Sequence, residues 1–564
     1  MTRRRPTFIE LLVIPAVLIA GTATWLLHAG AWDIGNRSPI LSYDTAQYAL
    51  AARELAWHGR LATPYALPIE LERHAEPPWP LASVQPGLVL IEALAFRLVP
   101  AQGRLAGPDP RAAFSLVLPF ICFLLLGAWL ALSTRLVIAL RLPDAKPAMC
   151  AAAALVVGVA FVLDPEAQHF AIGGFTELPF TVGLLLAIFG LAFGLPARSP
   201  LSYGLGLGVA ALFRANTLWL APVFAVAAAW SGPRERAWRT FARVMLGWAL
   251  PIAPWWLYKW RAFGSPGWDL ARFGLWDGIR GQSWFSLSHQ ATLPPLPHGA
   301  EAMALIAGKI LHNLPGLAGA MLLGPRGLWL GALVTWLVLA RPARPFAAAA
   351  LAALAAGALE VLSAAASLPW SRSMFPARVL LEPLGMLALW ALIARLRGPA
   401  VTPFMRRALL ALTATLALGW GAWSTARGLT EAREASLERS VPATRTLTAL
   451  SIALNERIPP GEVIMSNLGP ALAWQTNHPV VHLALAPGDV EPCRRHLDFR
   501  HIVLVFHDAR SAWGQWSEVV AREGCANTLG LEVAHETRYT TRDGFLIVWL
   551  ELRPRGPALA SAAR

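Results

Sequence analysis

The sequence predicts an α-helical polytopic membrane protein of about eleven transmembrane helices that ends in an extracytoplasmic α/β domain. Three observations predict it: an apolar, weakly charged composition, a succession of apolar runs whose joints carry arginine, and a change of character after Thr430. Of the 564 residues, 56% are hydrophobic and only 15% charged, against about 25% charged in an ordinary soluble chain. Twenty-five Trp, 45 Pro and a mean hydropathy of +0.48 push the same way. These values exclude a single soluble enzyme and a disordered tail. The net charge of +14 is almost all arginine and falls at the joints between apolar runs, which points to a bilayer and not to nucleic acid.

Arg3, Arg4 and Arg5 precede an apolar run from Phe8 to Ala29, long enough to cross about 30 Å of hydrocarbon. It exceeds the h-region of a signal peptide and lacks a small-x-small cleavage site, so it reads as a first helix with its N-terminus inside. Further runs lie near 112–133, 148–164, 177–195, 201–213, 215–230, 244–260, 327–340, 346–363, 379–394 and 408–425. Arg135, Arg141, Lys146, Arg198, Arg234, Arg236, Arg239, Arg243, Arg341, Arg344, Arg395, Arg397, Arg406 and Arg407 fall in joints that are all cytoplasmic if the N-terminus is. The run from Gln85 to Val99 is short and interrupted by Glu92 and Arg97, so it reads as a helix lying on the outer membrane surface. The large outer segments are then 30–111, 262–326 and the C-terminal part. GLGLG at Gly204 to Gly208 sits in an apolar run and reads as close helix packing instead of a nucleotide loop.

These boundaries divide the chain into a membrane domain, 1–428, and a C-terminal domain, 429–564. In the latter, EVIM (462–465), PVVHLAL (479–485), HIVLVF (501–506) and FLIVWLEL (545–552) read as strands, with a helical stretch near Ala512 to Arg522. Cys493 and Cys525 both fall here and could pair in an oxidising compartment; no CxxC motif suggests zinc or redox chemistry.

The densest polar cluster is the first outer loop, residues 42–87. Asp44 begins a helix whose face, Tyr48, Ala52 and Leu55, could rest on the membrane. Asp44 with Gln47 also forms a capping box, which would explain an aspartate there by itself. Arg214, between two apolar runs, is costly at membrane depth unless it is paired or functional.

The order of motifs resembles that of the GT-C glycosyltransferases, which include the protein O-mannosyltransferases, the lipid A aminoarabinose transferases and bacterial relatives of glycosyltransferase family 39. The resemblance rests on the Asp44 loop and its QPG, on FTELPF (175–180), on GLGVAALFRANTLWLAP (206–222) and on PIAPWWLYKWRAFGSP (251–266). It continues through RVLLEPLGML (378–387) and SNLGPALAWQTNHPVVHLAL (466–485), and so covers nearly the whole chain. Thr45 stands where many relatives have Glu, and Val379 where they often have Tyr or Phe.

The resemblance implies a GT-C fold and transfer of a sugar from a polyprenyl-phosphate donor to a lipid, glycan or protein acceptor, with inversion, on the periplasmic face of a bacterial inner membrane. Asp44 is then the general base, with Tyr48, Glu76 and Gln85, and His74 beside them, on the acceptor side. Arg214, Lys259, Arg261, Arg372 and Arg378 are the candidates for the donor phosphate. Lys259 and Arg261 could equally snorkel from a helix end, and Arg372 and Arg378 could anchor the interface. Asp44, Glu177, Glu166 and Asp164 could hold a divalent cation, Mg or Mn; capping and the helix dipole account for the acidic residues of that turn as well. Other classes compatible with the composition are a transporter or lipid flippase, disfavoured by the lack of paired repeats, and a non-catalytic envelope scaffold.

Overall fold

The computed structural model describes residues 8–34, 43–82, 84–98, 114–141, 146–322, 325–340, 342–369, 371–396, 402–437 and 442–555. Arg3, Arg4, Arg5, Arg341 and Arg397, on which part of the predicted topology rests, lie outside them. The chain begins with α1 (Phe8–Ala31) and α2 (Tyr43–His58). Three two-residue strands follow, β1 (Ala62–Thr63), β2 (Tyr65–Ala66) and β3 (Trp79–Pro80), and then α3 (Pro86–Leu98). The bundle continues through α4 (Phe114–Arg141), α5 (Pro147–Val162), α6 (Pro165–Gly173), α7 (Glu177–Ala192), the single turn α8 (Leu195–Arg198), α9 (Pro200–Ala211), α10 (Thr217–Ser231) and α11 (Ala237–Phe263). After the short α12 (Trp284–Ser288) come α13 (Gly299–Leu322), α14 (Pro325–Ala340), α15 (Arg344–Ala366), α16 (Ser371–Arg395) and α17 (Pro403–Leu437).

Each of the eleven apolar runs lies in a helix, but among the described residues length and apolarity suffice for a membrane crossing in six helices: α1, α4, α13, α15, α16 and α17. The pair α5 and α6, bent by 56°, makes a seventh if counted as one span. The count of eleven is therefore not reproduced, and α13 falls inside what reads in sequence as the outer loop 262–326. Helix α13 buries only Leu317 and is otherwise half-buried or exposed, as a helix facing lipid on one side would be. Asn313 of α13 donates to the Ala365 carbonyl at the far end of α15, while Trp336 of α14 packs on Phe346 in the first turn of α15. Thus the second half of α13 lies at the far end of α15 and the end of α14 at its start. Large apolar side chains stand exposed around the bundle, among them Ile19, Leu125, Leu186, Val226, Val338 and Leu351.

Helix packing explains the glycines of GLGLG. A side chain on Gly204 would meet the Val244 carbonyl of α11, and one on Gly208 the Trp248 carbonyl, so α9 and α11 approach backbone to backbone. Helix α3 is too short to cross a membrane and is two-faced. Leu88, Val89, Ala93 and Phe96 are buried while Leu90, Ile91, Leu94 and Leu98 are exposed, as an interfacial helix requires. The face of α2 expected on the membrane is instead inside the protein: Tyr48 and Ala52 are buried, and the helix packs against α3 and the C-terminal region.

The C-terminal region adds α18 (Thr444–Arg457), β4 (Ile464–Ser466), α19 (Gly469–Gln475), β5 (Val480–His482), α20 (Val490–His496), β6 (His501–Phe506), α21 (Trp516–Ala521), α22 (Cys525–Thr528), β7 (Val533–Thr540) and β8 (Leu546–Leu552). Its sheet has the order β2-β5-β4-β6-β8-β7, parallel from β2 to β6 and antiparallel beyond. Strand β7 escapes the sequence reading because VAHETRYT is a polar, half-exposed edge with no apolar run. Alternate residues of the sheet divide between two cores. Ile464, Val480, Val503 and Ile547 join the core continuous with the bundle, and Met465, Val481, Leu504 and Val548 form a second core with Trp516. Helix α17 runs through residue 428 to Leu437, and β2 of the first loop is the edge strand of the C-terminal sheet, so the structural boundary is less sharp than the sequence boundary. Cys493 and Cys525 are both free thiols, so the pairing considered from sequence does not form.

Because β2 pairs with β5, the first loop and the C-terminal sheet lie on the same side of any membrane, and the helices between return the chain to the side it left. Two further contacts fasten this junction. Arg53 of α2 donates to the carbonyls of Ala473 and Trp474 and lies over the Trp474 ring. His289, just after α12, shares a buried hydrogen bond of 3.1 Å with His482 of β5. Burial pushes His289 down from 6.5 to about 4, and His482 lower than its usual value for the same reason.

Arg53→Ala is expected to cost about 1–3 kcal/mol through loss of charge-assisted bonds and stacking. Faster hydrogen exchange in α2 and α19 would report it. Because both histidine pKa values are depressed in the folded protein, their contribution is present above about pH 6.5 and is lost as pH falls toward 4. Exchange protection of residues 284–289 should fall across that interval, and His289→Gln should flatten the change.

Candidate active site

Four helix ends meet at the end of the bundle that carries the first loop. Asp44 lies in the first turn of α2, Glu177 opens α7, Arg214 lies between α9 and α10, and Arg372 lies in the first turn of α16. The turn that leads into α7 arises from local signals in the sequence. Asp164 caps α6 by accepting from the Glu166 and Ala167 amides, Gly174 in the left-handed region ends that helix, and α7 then starts with Glu177.

Arg372 joins the carboxylates. Its Nη1 lies 2.6 Å from Asp44 Oδ2, its Nε engages Glu177 Oε1, and its guanidinium lies 4.3 Å over the Phe175 ring. Arg214 Nη1 reaches the same Glu177 oxygen at 2.5 Å. Glu177 is fully buried, whereas the Asp44 and Arg372 side chains are each 28% exposed. The chain Asp44–Arg372–Glu177–Arg214 balances two positive against two negative charges, and Asp44 is its open carboxylate. Since Tyr43 is already helical, Asp44 sits within the first turn and spends its carboxylate on Arg372; the residue before the helix lies outside the described residues.

Tyr48, one turn on, places its hydroxyl 3.5 Å from Thr176 Oγ1. Burial first, and then the Asp44 charge, push its phenol well above the usual value, so it stays protonated. Thr45, the departure from the family pattern, donates to the Gly173 carbonyl and ties α2 to the end of α6.

Arg378, anticipated at the donor phosphate, is buried among three carboxylates. It pairs with Asp164 at 2.5 Å, with Glu166, and with Glu382 at 3.5 Å. Glu382 also holds Arg326 at 2.8 Å. This cluster staples α6, α14 and α16 together, and its guanidinium is already neutralised. The carboxylates expected to share a cation are accordingly divided, Asp44 and Glu177 on Arg372, Asp164 and Glu166 on Arg378. Among the described residues no three His, Cys, Asp or Glu converge as a metal site. With each of the four carboxylates taken by an arginine, the residues present do not fit a divalent cation.

Lys259 does not snorkel. It is buried, 3.1 Å from Asp269 Oδ2 and 4.9 Å from the Trp255 ring centre. Gln85 donates to the same Asp269 oxygen and accepts from Trp255 Nε1, so it ties the start of α3 to α11. Arg261 is exposed on the last turn of α11 and remains available to a surface anion. Glu76 and His58 are exposed, and His74 Nε2 donates to the Ala262 carbonyl at 2.7 Å. Sequence reasoning missed Asp269, Glu382 and Phe175. Only Glu382 carried a local signal, standing four residues after Arg378 on one helix face.

No family model and no curated protein matches the chain. Among solved structures it is similar to ArnT from Cupriavidus metallidurans bound to undecaprenyl phosphate, at 13% identity over 96% of this chain and 98% of that one, with a TM-score of 0.53. The chain has the GT-C fold. It is similar also to the Archaeoglobus fulgidus oligosaccharyltransferase tethered to an acceptor peptide containing the NVT sequon, at 12% identity over 94% and 73% of the two chains, with a TM-score of 0.54. In this GT-C chain, the two acidic positions singled out from sequence, Asp44 and Glu177, meet on one guanidinium.

Arg378→Met would leave Asp164 and Glu166 without their guanidinium and Glu382 with Arg326 alone, so a stability loss of about 3–5 kcal/mol is expected, read as a lowered melting temperature in detergent. Arg261→Met, at an exposed site, should leave the melting temperature nearly unchanged.

Proposed function

We propose that the protein is a membrane glycosyltransferase that moves a sugar from a polyprenyl-phosphate donor to an acceptor hydroxyl, with Asp44 as general base. One observation carries the reading: a partly exposed carboxylate, Asp44, is held at the mouth of the bundle by Arg372, which is itself fixed by the buried Glu177. The fold supports it, because its structural neighbours include a protein bound to undecaprenyl phosphate and one tethered to an acceptor peptide.

In the reaction the acceptor oxygen attacks the anomeric carbon from the side opposite the phosphate. The new carbon–oxygen bond forms as the bond to the phosphate oxygen breaks, and that bonding pair leaves with the polyprenyl phosphate. The acceptor proton passes to Asp44, and the configuration inverts. Charge that builds on the departing phosphate is stabilised by Arg372, with Arg261 exposed for the headgroup. Tyr48, protonated and buried beside Asp44, fixes the helix that carries the base. The acceptor is a lipid, a glycan or a protein on the periplasmic face of a bacterial inner membrane. The loop and the C-terminal sheet lie together on that face, and the first helix leaves the N-terminus in the cytoplasm.

Reconstituted vesicles supplied with a panel of polyprenyl-phosphate sugars test the reading. Wild type is expected to release polyprenyl phosphate, and Asp44→Asn to be slower by about 100-fold or more while folding normally. Equal release by the two would remove Asp44 from the chemistry.

A further inference from the structure

We propose that Arg372 couples donor binding to the freeing of the base: the donor phosphate takes the guanidinium edge that now holds Asp44, so Asp44 becomes available only when a donor is present. This rests on the reading of the protein as a polyprenyl-phosphate sugar transferase and adds an order to its binding steps.

The argument begins with the donors of one guanidinium. An arginine offers two forked edges, one through Nε and one through the terminal nitrogens. In Arg372 the Nε edge engages Glu177 and the Nη1 side engages Asp44, so both edges already face carboxylates. A phosphate that forks onto the two terminal nitrogens must take Nη1, and so displaces Asp44 from it. The two carboxylates differ sharply in exposure: Glu177 is 0% exposed and also held by Arg214, whereas Asp44 is 28% exposed. Displacing Glu177 would strand a buried charge, and displacing Asp44 returns a carboxylate to a polar opening. The Phe175 ring beneath the guanidinium keeps its plane in place during the exchange. With the phosphate on Arg372, Asp44 has lost its ion pair and is a stronger hydrogen-bond acceptor for the acceptor hydroxyl. Without a donor, Asp44 remains paired.

The coupling predicts that Asp44 and the phosphate compete for one group, which a double-mutant comparison on the full-length protein in detergent can read. The probe is undecaprenyl phosphate without sugar, titrated by native mass spectrometry, with melting temperatures to verify folding. Asp44→Asn is expected to tighten binding roughly three- to tenfold. Arg372→Gln is expected to weaken it, and in that background Asp44→Asn should change affinity less than about twofold. Arg372→Lys, which keeps the charge without the fork, should bind more weakly than wild type and show a reduced response to Asp44→Asn. Equal tightening by Asp44→Asn in both backgrounds would mean simple removal of a negative charge and would overturn the coupling, as would no tightening. Absence of undecaprenyl phosphate binding in every variant and in wild type would overturn the donor reading itself, and the coupling with it.

Discussion

A single buried carboxylate organises the functional end of this molecule. Glu177 lies at the start of α7 with no exposed surface and takes two guanidiniums, Arg214 from the turn between α9 and α10 and Arg372 from the start of α16. A charge taken out of water persists only with partners of opposite sign, and each partner loses its own hydration in turn. The result is a rigid origin to which three helix ends are referred. Asp44 of α2 joins it as the outermost member, held directly by Arg372, whose own place is set by Glu177 and, through it, Arg214.

The second organising constraint is the pairing of β2 with β5. Two residues of the first loop complete the edge of the C-terminal sheet, and Arg53 and the His289–His482 contact reinforce the join. An open sheet edge invites further pairing, and here the chain closes it with its own loop. The same contact makes the C-terminal region part of the support of α2. Its membrane-side sheet face shares one apolar core with the bundle, which is why the two regions are physically continuous although their compositions differ.

The arginines show how charge is managed in a chain that is otherwise apolar. Several in the bundle are matched to carboxylates, Arg378 to three of them, Arg372 to two, and Arg214 and Arg326 to one each. Those at the joints, such as Arg234 and Arg236, are exposed. This separation follows from the cost of an unpaired charge away from water, and the pair Asp44 and Arg372, each 28% exposed, stands where polar ligands can enter.

Sequence alone determined the membrane class, the positions of most of the helices, the two-faced apolar character of α3 and the strands β4, β5, β6 and β8. These depend on local apolar periodicity and on which faces must avoid water, both properties of neighbouring residues. It also singled out Asp44 and Glu177 separately. Tertiary structure decided that they share Arg372, a partner 195 residues beyond Glu177 in the chain, and that Arg378 belongs to a structural cluster instead of a phosphate site. It likewise decided the membrane-crossing candidate α13, the polar edge strand β7 and the capture of Lys259 by Asp269. Ion pairs and sheet edges are chosen by proximity in space, and a sequence records which charges exist but not which of them meet.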